Sequence, residues 1–307
     1  MENVLGRTRD DSGEHWVNRF ANGRVVHTDA FLKADGARIL PLGGPQDAIL
    51  NHLVHFPEKV RDKRVFDPFS GSGIFGLMAL QLDAAYVDFL DINPRARDFQ
   101  RANAERNHFP AERFETHLES IDSFEAAAPY DLVLANPPFV PIPPGIEGTL
   151  TSAAGPEGND LVDLLLVKLD RLMASNAEAL VYLMQFVAKQ GPLVGPTISE
   201  HLRGRKSELT PAQVEPIAFE DYCEAYEKCF PDQAAEIEAW RSDLTGRHGQ
   251  LGLQHYILHV SPGAGGESGW VITDNIVDKY GIAPHPPEAN KELALGRVLE
   301  NVVPRQS

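Results

Sequence analysis

Two cysteines are all that 307 residues contain, and Cys223 and Cys229 stand six apart in a stretch patterned as helix. That spacing fits neither a disulfide framework nor a Cys-x-x-Cys site, so both read as ordinary thiols. Positive charge is scarce as well: 28 Lys and Arg face 44 Asp and Glu, a formal net of −16. Such a balance repels a phosphate backbone, which argues against a nucleic-acid partner and favours a small molecule or a peptide. No apolar run approaches the roughly 18 residues that a membrane-spanning helix needs, and Met1-Glu2-Asn3-Val4 lacks a basic-then-apolar leader pattern. The expectation is a cytoplasmic chain without membrane contact. Neither a Gly-x-Ser-x-Gly elbow nor a Gly-x4-Gly-Lys-Ser/Thr loop occurs, so hydrolase and P-loop chemistry lack their markers.

What is present is a strand and helix alternation on a chain whose 43% hydrophobic content suffices for a sizeable core. Residues 1 to about 40 carry short apolar pairs (Val25-Val26, Phe31-Leu32, Ile39-Leu40) broken by Gly23 and Gly36, a pattern of short strands or turns. In Gln46 to Phe56 the residues Ile49, Leu50, Leu53 and Phe56 share one helical face. Strands then follow at Arg64 to Asp67, Tyr86 to Asp91, Phe114 to Leu118, Asp131 to Ala135 and Ala179 to Phe186. Helices at Ile74 to Leu82, Pro94 to Asn107 and Asn159 to Ser175 separate them. This order predicts a doubly wound α/β sheet with ligands beyond the carboxyl ends of its strands. Further on, Val214 to Phe219 and Leu253 to Val260 read as strands and Glu220 to Trp240 as helix interrupted at Pro231. The division predicted is an N-terminal segment and cap over 1–58, a core over 59–262 enlarged at 188–252, and a linker with terminal extension over 263–307.

Chemistry concentrates at the strand ends. Asp67-Pro68-Phe69-Ser70-Gly71-Ser72-Gly73-Ile74-Phe75-Gly76 places Gly-x-Gly-x-x-Gly between a strand and a helix, the context of a nucleotide-binding turn. Asp91, twenty residues after Gly71, ends the next strand where a carboxylate can accept both ribose hydroxyls. Dinucleotide enzymes and methyltransferases share that much. Asp67 separates them, because a carboxylate there repels a pyrophosphate and attracts the ammonium of a methionine moiety; S-adenosylmethionine is cationic, whereas NAD carries two phosphates. In Asn136-Pro137-Pro138-Phe139, at the end of the fourth strand, the Asn136 side-chain oxygen and the Pro137 carbonyl can accept both hydrogens of a planar NH2 group. Pro138 stiffens the turn and Phe139 offers a ring for stacking.

The Asp67 to Gly73 turn, Asp91, Asn103-Ala104 with Asn107, and Asn136-Pro137-Pro138-Phe139 together resemble class I S-adenosylmethionine-dependent methyltransferases. Over about residues 60 to 187 the chain is most similar to the branch holding release-factor glutamine N5-methyltransferases and N6-adenine methyltransferases. Gly155-Pro156-Glu157-Gly158-Asn159-Asp160 is similar to the Gly-Gly-x-x-Gly stretch of the glutamine enzymes, with Ala154 where a first Gly is usual. The resemblance implies a Rossmann-like seven-stranded sheet in the order 3-2-1-4-5-7-6 with N-terminal and C-terminal additions. It also implies a site in which Asn136, Pro137 and Phe139 hold the acceptor. Asp67, Phe69, Gly71, Gly73, Asp91, Ile92 and Asn136 would then meet the cofactor, S-adenosyl-L-methionine, whose product is S-adenosyl-L-homocysteine. A third-strand contact to adenine falls to Glu119, Ser120 or Asp122 without a clear winner.

The reading is thus an N-methyltransferase acting on an amide, guanidine, urea or aromatic amine of a small molecule or peptide. A protein glutamine or a nucleic-acid adenine is the alternative acceptor; an NAD-dependent dehydrogenase and a non-catalytic binding module are alternatives of other classes. Release-factor enzymes carry a helical N-terminal domain that grips their large substrate, whereas the roughly sixty residues before the core here are mostly not helix-patterned, which argues against a release factor as substrate. Instead an acidic helix with Glu220, Asp221, Tyr222, Glu224, Tyr226 and Glu227 either covers the pocket or forms a solvated face. His255 and His259, four apart in a strand near the sheet edge, have no third ligand, and no metal is expected. Arg203, Arg205 and Lys206 read as a solvated loop, and Trp16, Phe20 and His15 as either a substrate cap or local packing.

Overall fold

The computed structural model describes residues 4–20, 23–29, 37–40, 43–263 and 269–301. Phe31-Leu32 with Gly36, and the linker residues Ala264, Gly265 and Gly266, lie outside the described residues.

The N-terminal segment forms an antiparallel meander of β1 (Val4–Arg9), β2 (His15–Phe20) and β3 (Val25–Asp29). Helix α1 (Gly44–His55) follows, with Ile49, Leu50 and Leu53 buried. The core then alternates: β4 (Arg64–Pro68), α2 (Ile74–Gln81), β5 (Tyr86–Asp91), α3 (Pro94–Arg106), β6 (Phe114–Leu118), β7 (Tyr130–Ala135), α4 (Asp160–Leu172), β8 (Met173–Ala188). Next come β9 (Gly191–Pro192), α5 (Gly195–His201), β10 (Arg205–Pro211), β11 (Ile217–Ala218), α6 (Phe219–Cys229), α7 (Ala234–His248) and β12 (Gly252–Pro262). The last described elements are β13 (Trp270–Ile272), α8 (Ile276–Tyr280) and α9 (Asn290–Asn301).

One large sheet runs β6-β5-β4-β7-β8-β12-β10-β13. With β4 as first strand and the short β9 and β11 left aside, its first seven strands read 3-2-1-4-5-7-6. Strands β6 to β8 are parallel, and β12 is antiparallel to both neighbours. The switch in strand order between β4 and β7 opens a crevice at their carboxyl ends. Helix α2 is apolar all round because it is covered on both sides: residues Ile74 to Leu80 are all buried, between the sheet and the Phe20 and Val26 face of the N-terminal meander.

Several expectations change. Helix α4 stops at Leu172 rather than Ser175, and β8 starts at Met173, because Ser175 and Asn176 are solvent-facing and give α4 no further apolar stripe. The strand expected over Val214 to Phe219 shrinks to Ile217-Ala218, since Pro216 has no N–H to give a ladder. Arg205 lies in strand β10, not in a solvated loop: it is buried, and its guanidinium donates to Asp170 Oδ1 (2.7 Å) and to the carbonyls of Ala177 (3.3 Å) and Ala174 (3.1 Å). His255 and His259 are interior rather than near the edge, because β12 runs between β8 and β10. The terminal extension belongs to the body. Strand β13 widens the sheet, Tyr280 is fully buried, and Asn290 Nδ2 donates to the carbonyls of Glu215 (3.3 Å) and Pro216 (3.2 Å). Among the described residues no helix is long and apolar enough to cross a membrane.

Candidate functional site

The turn after β4 is held open by its backbone. Phe69 (φ +57°), Gly71 (+50°) and Gly73 (+82°) all adopt left-handed conformations, and Phe69 does so without glycine's freedom, a strain that the surrounding bonds must hold. Ser70 leans on the end of β5, its N–H and Oγ both donating to Leu90 O at 3.1 Å. Gly76 permits close approach: a Cβ there would stand 2.3 Å from Phe89 Cε1.

Two carboxylates from adjacent strand ends face one cavity at this turn. Asp67 is 1% exposed and accepts Gly76 N–H through Oδ2 (2.9 Å). Asp91 accepts Gly71 N–H through Oδ2 and Asn93 N–H through Oδ1, both at 2.9 Å. Burial pushes the Asp67 carboxyl well above the usual carboxylate range, the neighbouring Asp91 adds to this, and the Gly76 N–H opposes it. Burial raises Asp91 too, against the N–H groups of Asn93, Gly71 and Ile92. A wall of two strained acids favours a cationic guest and penalises a phosphate.

The rest of the wall is mostly apolar. Ile92, an exposed apolar side chain, lines the cavity beside Asp91, and Phe69 lines it from the turn. After β6, Glu119 and Ser120 line it; Asp122 is exposed and does not. Asn136 and Pro138 come from the end of β7, and the buried Asn136 Oδ1 has no hydrogen-bond partner among the described residues. That oxygen is set to accept from a guest.

Three of the expected residues stand behind the cavity. Gly73 is a packing glycine, its hypothetical Cβ 3.2 Å from Phe89 and Gln100. Pro137 is buried behind Asn136. Phe139 offers no free ring, because β8 runs past the end of β7 and brings Tyr182 against it (centroids 5.8 Å), with His255 of the neighbouring β12 at 5.9 Å.

The acidic helix does not cover the cavity either. Glu220, Glu224 and Glu227 are exposed, while the aromatic side of α6 and α7 holds the loop that follows the asparagine-proline corner. Tyr226 and Tyr222 hydroxyls donate to Pro141 O (2.8 and 3.3 Å), and Trp240 Nε1 donates to Pro156 O (3.0 Å). The loop closes on itself through Val140 N–H to Ser152 O (2.8 Å) and Ile142 N–H to Gly155 O (3.1 Å). It thereby brings Leu150 and Thr151 to the cavity.

No cap forms from Trp16, Phe20 and His15. Phe20 is core, Trp16 carries Arg9 over its ring at 4.7 Å, and His15 Nδ1 pairs with Asp10 Oδ2 at 2.8 Å. Ile39, Leu40 and Gln46 line the cavity in their place. Only long-range folding brings these three and Leu150 there, and their local pattern carried no signal. Among the described residues one trio, Asp88, Glu115 and His117, has metal-ligand spacing. Its Asp88 already accepts from Arg64, Tyr130 and His117, and His255 and His259 are not part of it.

Residues 47–142 match the family model described as methyltransferase small domain. Among curated proteins, the chain is 36% identical over 96 residues to ribosomal protein L11 methyltransferase of Teredinibacter turnerae, covering 30% of this chain and 31% of that one. It is 32% identical over 118 residues to tRNA1(Val) (adenine(37)-N6)-methyltransferase of Aeromonas hydrophila, covering 38% and 49%. The chain thus spans less than half the length of the curated relatives it matches. A crystal structure of ribosomal protein L11 methylase from Lactobacillus delbrueckii subsp. bulgaricus aligns with 71% of this chain and 78% of its own at 15% identity, with a TM-score of 0.41, too distant to carry an argument.

Proposed function

We propose that the chain is an S-adenosylmethionine-dependent methyltransferase that methylates a planar nitrogen, with a peptide or protein amide as the favoured acceptor. The observation that carries the reading is the orphaned Asn136 oxygen, on the wall that also holds the two buried acids Asp67 and Asp91. The donor set fits the cofactor: Asp67 for the methionine ammonium, Asp91 for the ribose, Ile92 and Phe69 for apolar contact with adenosine, and Glu119 or Ser120 for the adenine edge. Bound there, S-adenosylmethionine supplies an electrophilic methyl on a cationic sulfur. Asn136 Oδ1 accepts a hydrogen of the acceptor NH2, and Pro138, on the same wall, fixes its direction. Held so, the nitrogen lone pair would point at the methyl carbon; as the nitrogen–carbon bond formed, the sulfur–carbon bond would break, S-adenosylhomocysteine would leave neutral and the nitrogen would carry the positive charge. Its proton then leaves to solvent, so the chain needs no strong base. Phe139 serves this arrangement from behind, packed on Tyr182 and His255.

The net charge of −16 supports a protein over a nucleic acid. Relatives named for a tRNA adenine count on the other side, so charge alone does not exclude a nucleobase amine, and this is the second reading. A small-molecule acceptor draws no support from the relatives. A dehydrogenase reading would require a diphosphate beside Asp67.

The test is Asn136→Ala assayed with tritiated S-adenosylmethionine on protein and RNA fractions of a cell extract. Unchanged affinity for S-adenosylhomocysteine with label transfer lost supports the reading, and the labelled fraction in the wild type identifies the acceptor class. An Asn136→Ala protein that keeps full transfer overturns it.

A further inference from the structure

The motif Asn103-Ala104 with Asn107 has no contact with the cavity, yet both asparagines are almost fully buried. They face the outer edge of β3, which has β2 on its other side and, among the described residues, no strand beyond it. Asn103 Oδ1 accepts His27 N–H (2.9 Å) and its Nδ2 donates to His27 O (3.1 Å). Asn107 repeats this with Val25, at 3.0 and 2.7 Å. The match is geometric: four helical residues advance about 6.0 Å and two strand residues about 6.6 Å. Two side-chain amides four apart therefore stand in for a missing strand.

Asn103 Oδ1 also accepts from Arg106 Nη1 (3.0 Å), within α3, and the two amides differ in where Nδ2 turns. Asn103 Nδ2 also donates to Ser72 O (3.0 Å), inside the glycine turn, whereas Asn107 Nδ2 turns back to Asn103 O (2.7 Å). Gln100, one helical turn earlier, supports the same turn through Ser70 Oγ (2.8 Å). Beyond β3 the chain returns to the cavity: Asp29 Oδ2 accepts Ile39 N–H (2.8 Å), Asn93 Nδ2 donates to Ala37 O (2.7 Å), and Ile39 and Leu40 form part of the wall.

We infer that Asn103 is a positioning residue for the cofactor, joining the docking of the N-terminal meander to the shape of the glycine turn, so that the meander helps set donor affinity. The inference rests on the cofactor reading above. It is tested by hydrogen exchange on the ligand-free protein together with calorimetric titration of S-adenosylhomocysteine, in wild type, Asn103→Ala, Asn103→Asp and Asn107→Ala. Asn107→Ala should speed exchange in residues 23–29 and leave both the 68–78 segment and the dissociation constant unchanged. Either Asn103 variant should speed exchange in both segments and raise the dissociation constant about fivefold, as expected for one neutral hydrogen bond. The second Asn103 variant, which keeps an acceptor for His27 N–H, serves if the first does not fold. Unchanged exchange over 68–78 in a folded Asn103 variant, or an equal effect of Asn107→Ala, overturns the inference. Should wild type fail to bind S-adenosylhomocysteine, the cofactor reading fails, and the exchange comparison still decides the coupling.

Discussion

Asp91 Oδ2 accepts the backbone N–H of Gly71 at 2.9 Å, tying the tip of β5 to the middle of the glycine turn. Its other oxygen holds Asn93 N–H, so one carboxylate shapes both the turn and the start of α3. Asp91→Asn keeps the volume and loses an acceptor and the charge. Affinity for S-adenosylhomocysteine should fall about tenfold or more, the scale of a charge-assisted hydrogen bond. Calorimetry with a thermal-unfolding control checks this; an unchanged affinity would remove Asp91 from the donor site.

Tyr226 donates its buried hydroxyl to Pro141 O. Tyr226→Phe should cost about 1 kcal/mol of stability, leaving Pro141 O with only the longer bond from Tyr222. Denaturant unfolding reads the cost. If loop 140–158 presents the acceptor, KM for acceptor should rise while affinity for S-adenosylhomocysteine stays constant.

Gly76 is a packing glycine, and an added methyl would meet Phe89 and Val87 at 2.3 and 2.6 Å. Gly76→Ala should therefore destabilise by about 1–3 kcal/mol through overpacking. Phe89→Leu placed beside it should recover part of the loss, the non-additivity expected of touching residues. Strict additivity in urea unfolding would contradict the close contact.

Acid should lower the protein's stability over two overlapping pH windows. The His259 hydrogen bond, assisted by Lys59 against burial, holds the Glu178 carboxyl down from 4.5 to about 2. A folded-state pKa below the unfolded one gives stability that is full above pH 4.5 and lost as pH falls toward 2. Burial pushes His52 from 6.5 down to about 4, so stability also declines between those values as the unfolded chain gains a proton that the folded one refuses. Thermal unfolding across pH reads both, and Glu178→Gln should flatten only the lower window.

Where residues act through local pattern, the sequence was readable. The strand-turn-helix around Asp67 and Gly71, the acid ending β5, and the asparagine-proline corner each announce themselves within ten residues, and the structure places Asp67, Asp91 and Asn136 on one wall. Long-range packing was not readable. Phe139 lost its free ring because β8 overruns β7, a length set by pairing with β12. Strand β10 was hidden because Arg205 and Lys206 read as a solvated loop, although Arg205 is satisfied by Asp170 and two carbonyls, and Glu208 in the same strand by Lys279. Ile39 and Leu40 reach the cavity only through Asp29 and Asn93, which no spacing rule connects.

The most direct test of the central claim, that the wall formed by Asp67 and Asp91 takes a cationic methyl donor rather than a diphosphate, is parallel calorimetric titration of the wild type with S-adenosylhomocysteine and with NAD. Saturable binding of S-adenosylhomocysteine, weakened by Asp67→Asn, with no heat from NAD is the predicted result. Saturable binding of NAD without binding of S-adenosylhomocysteine would contradict it.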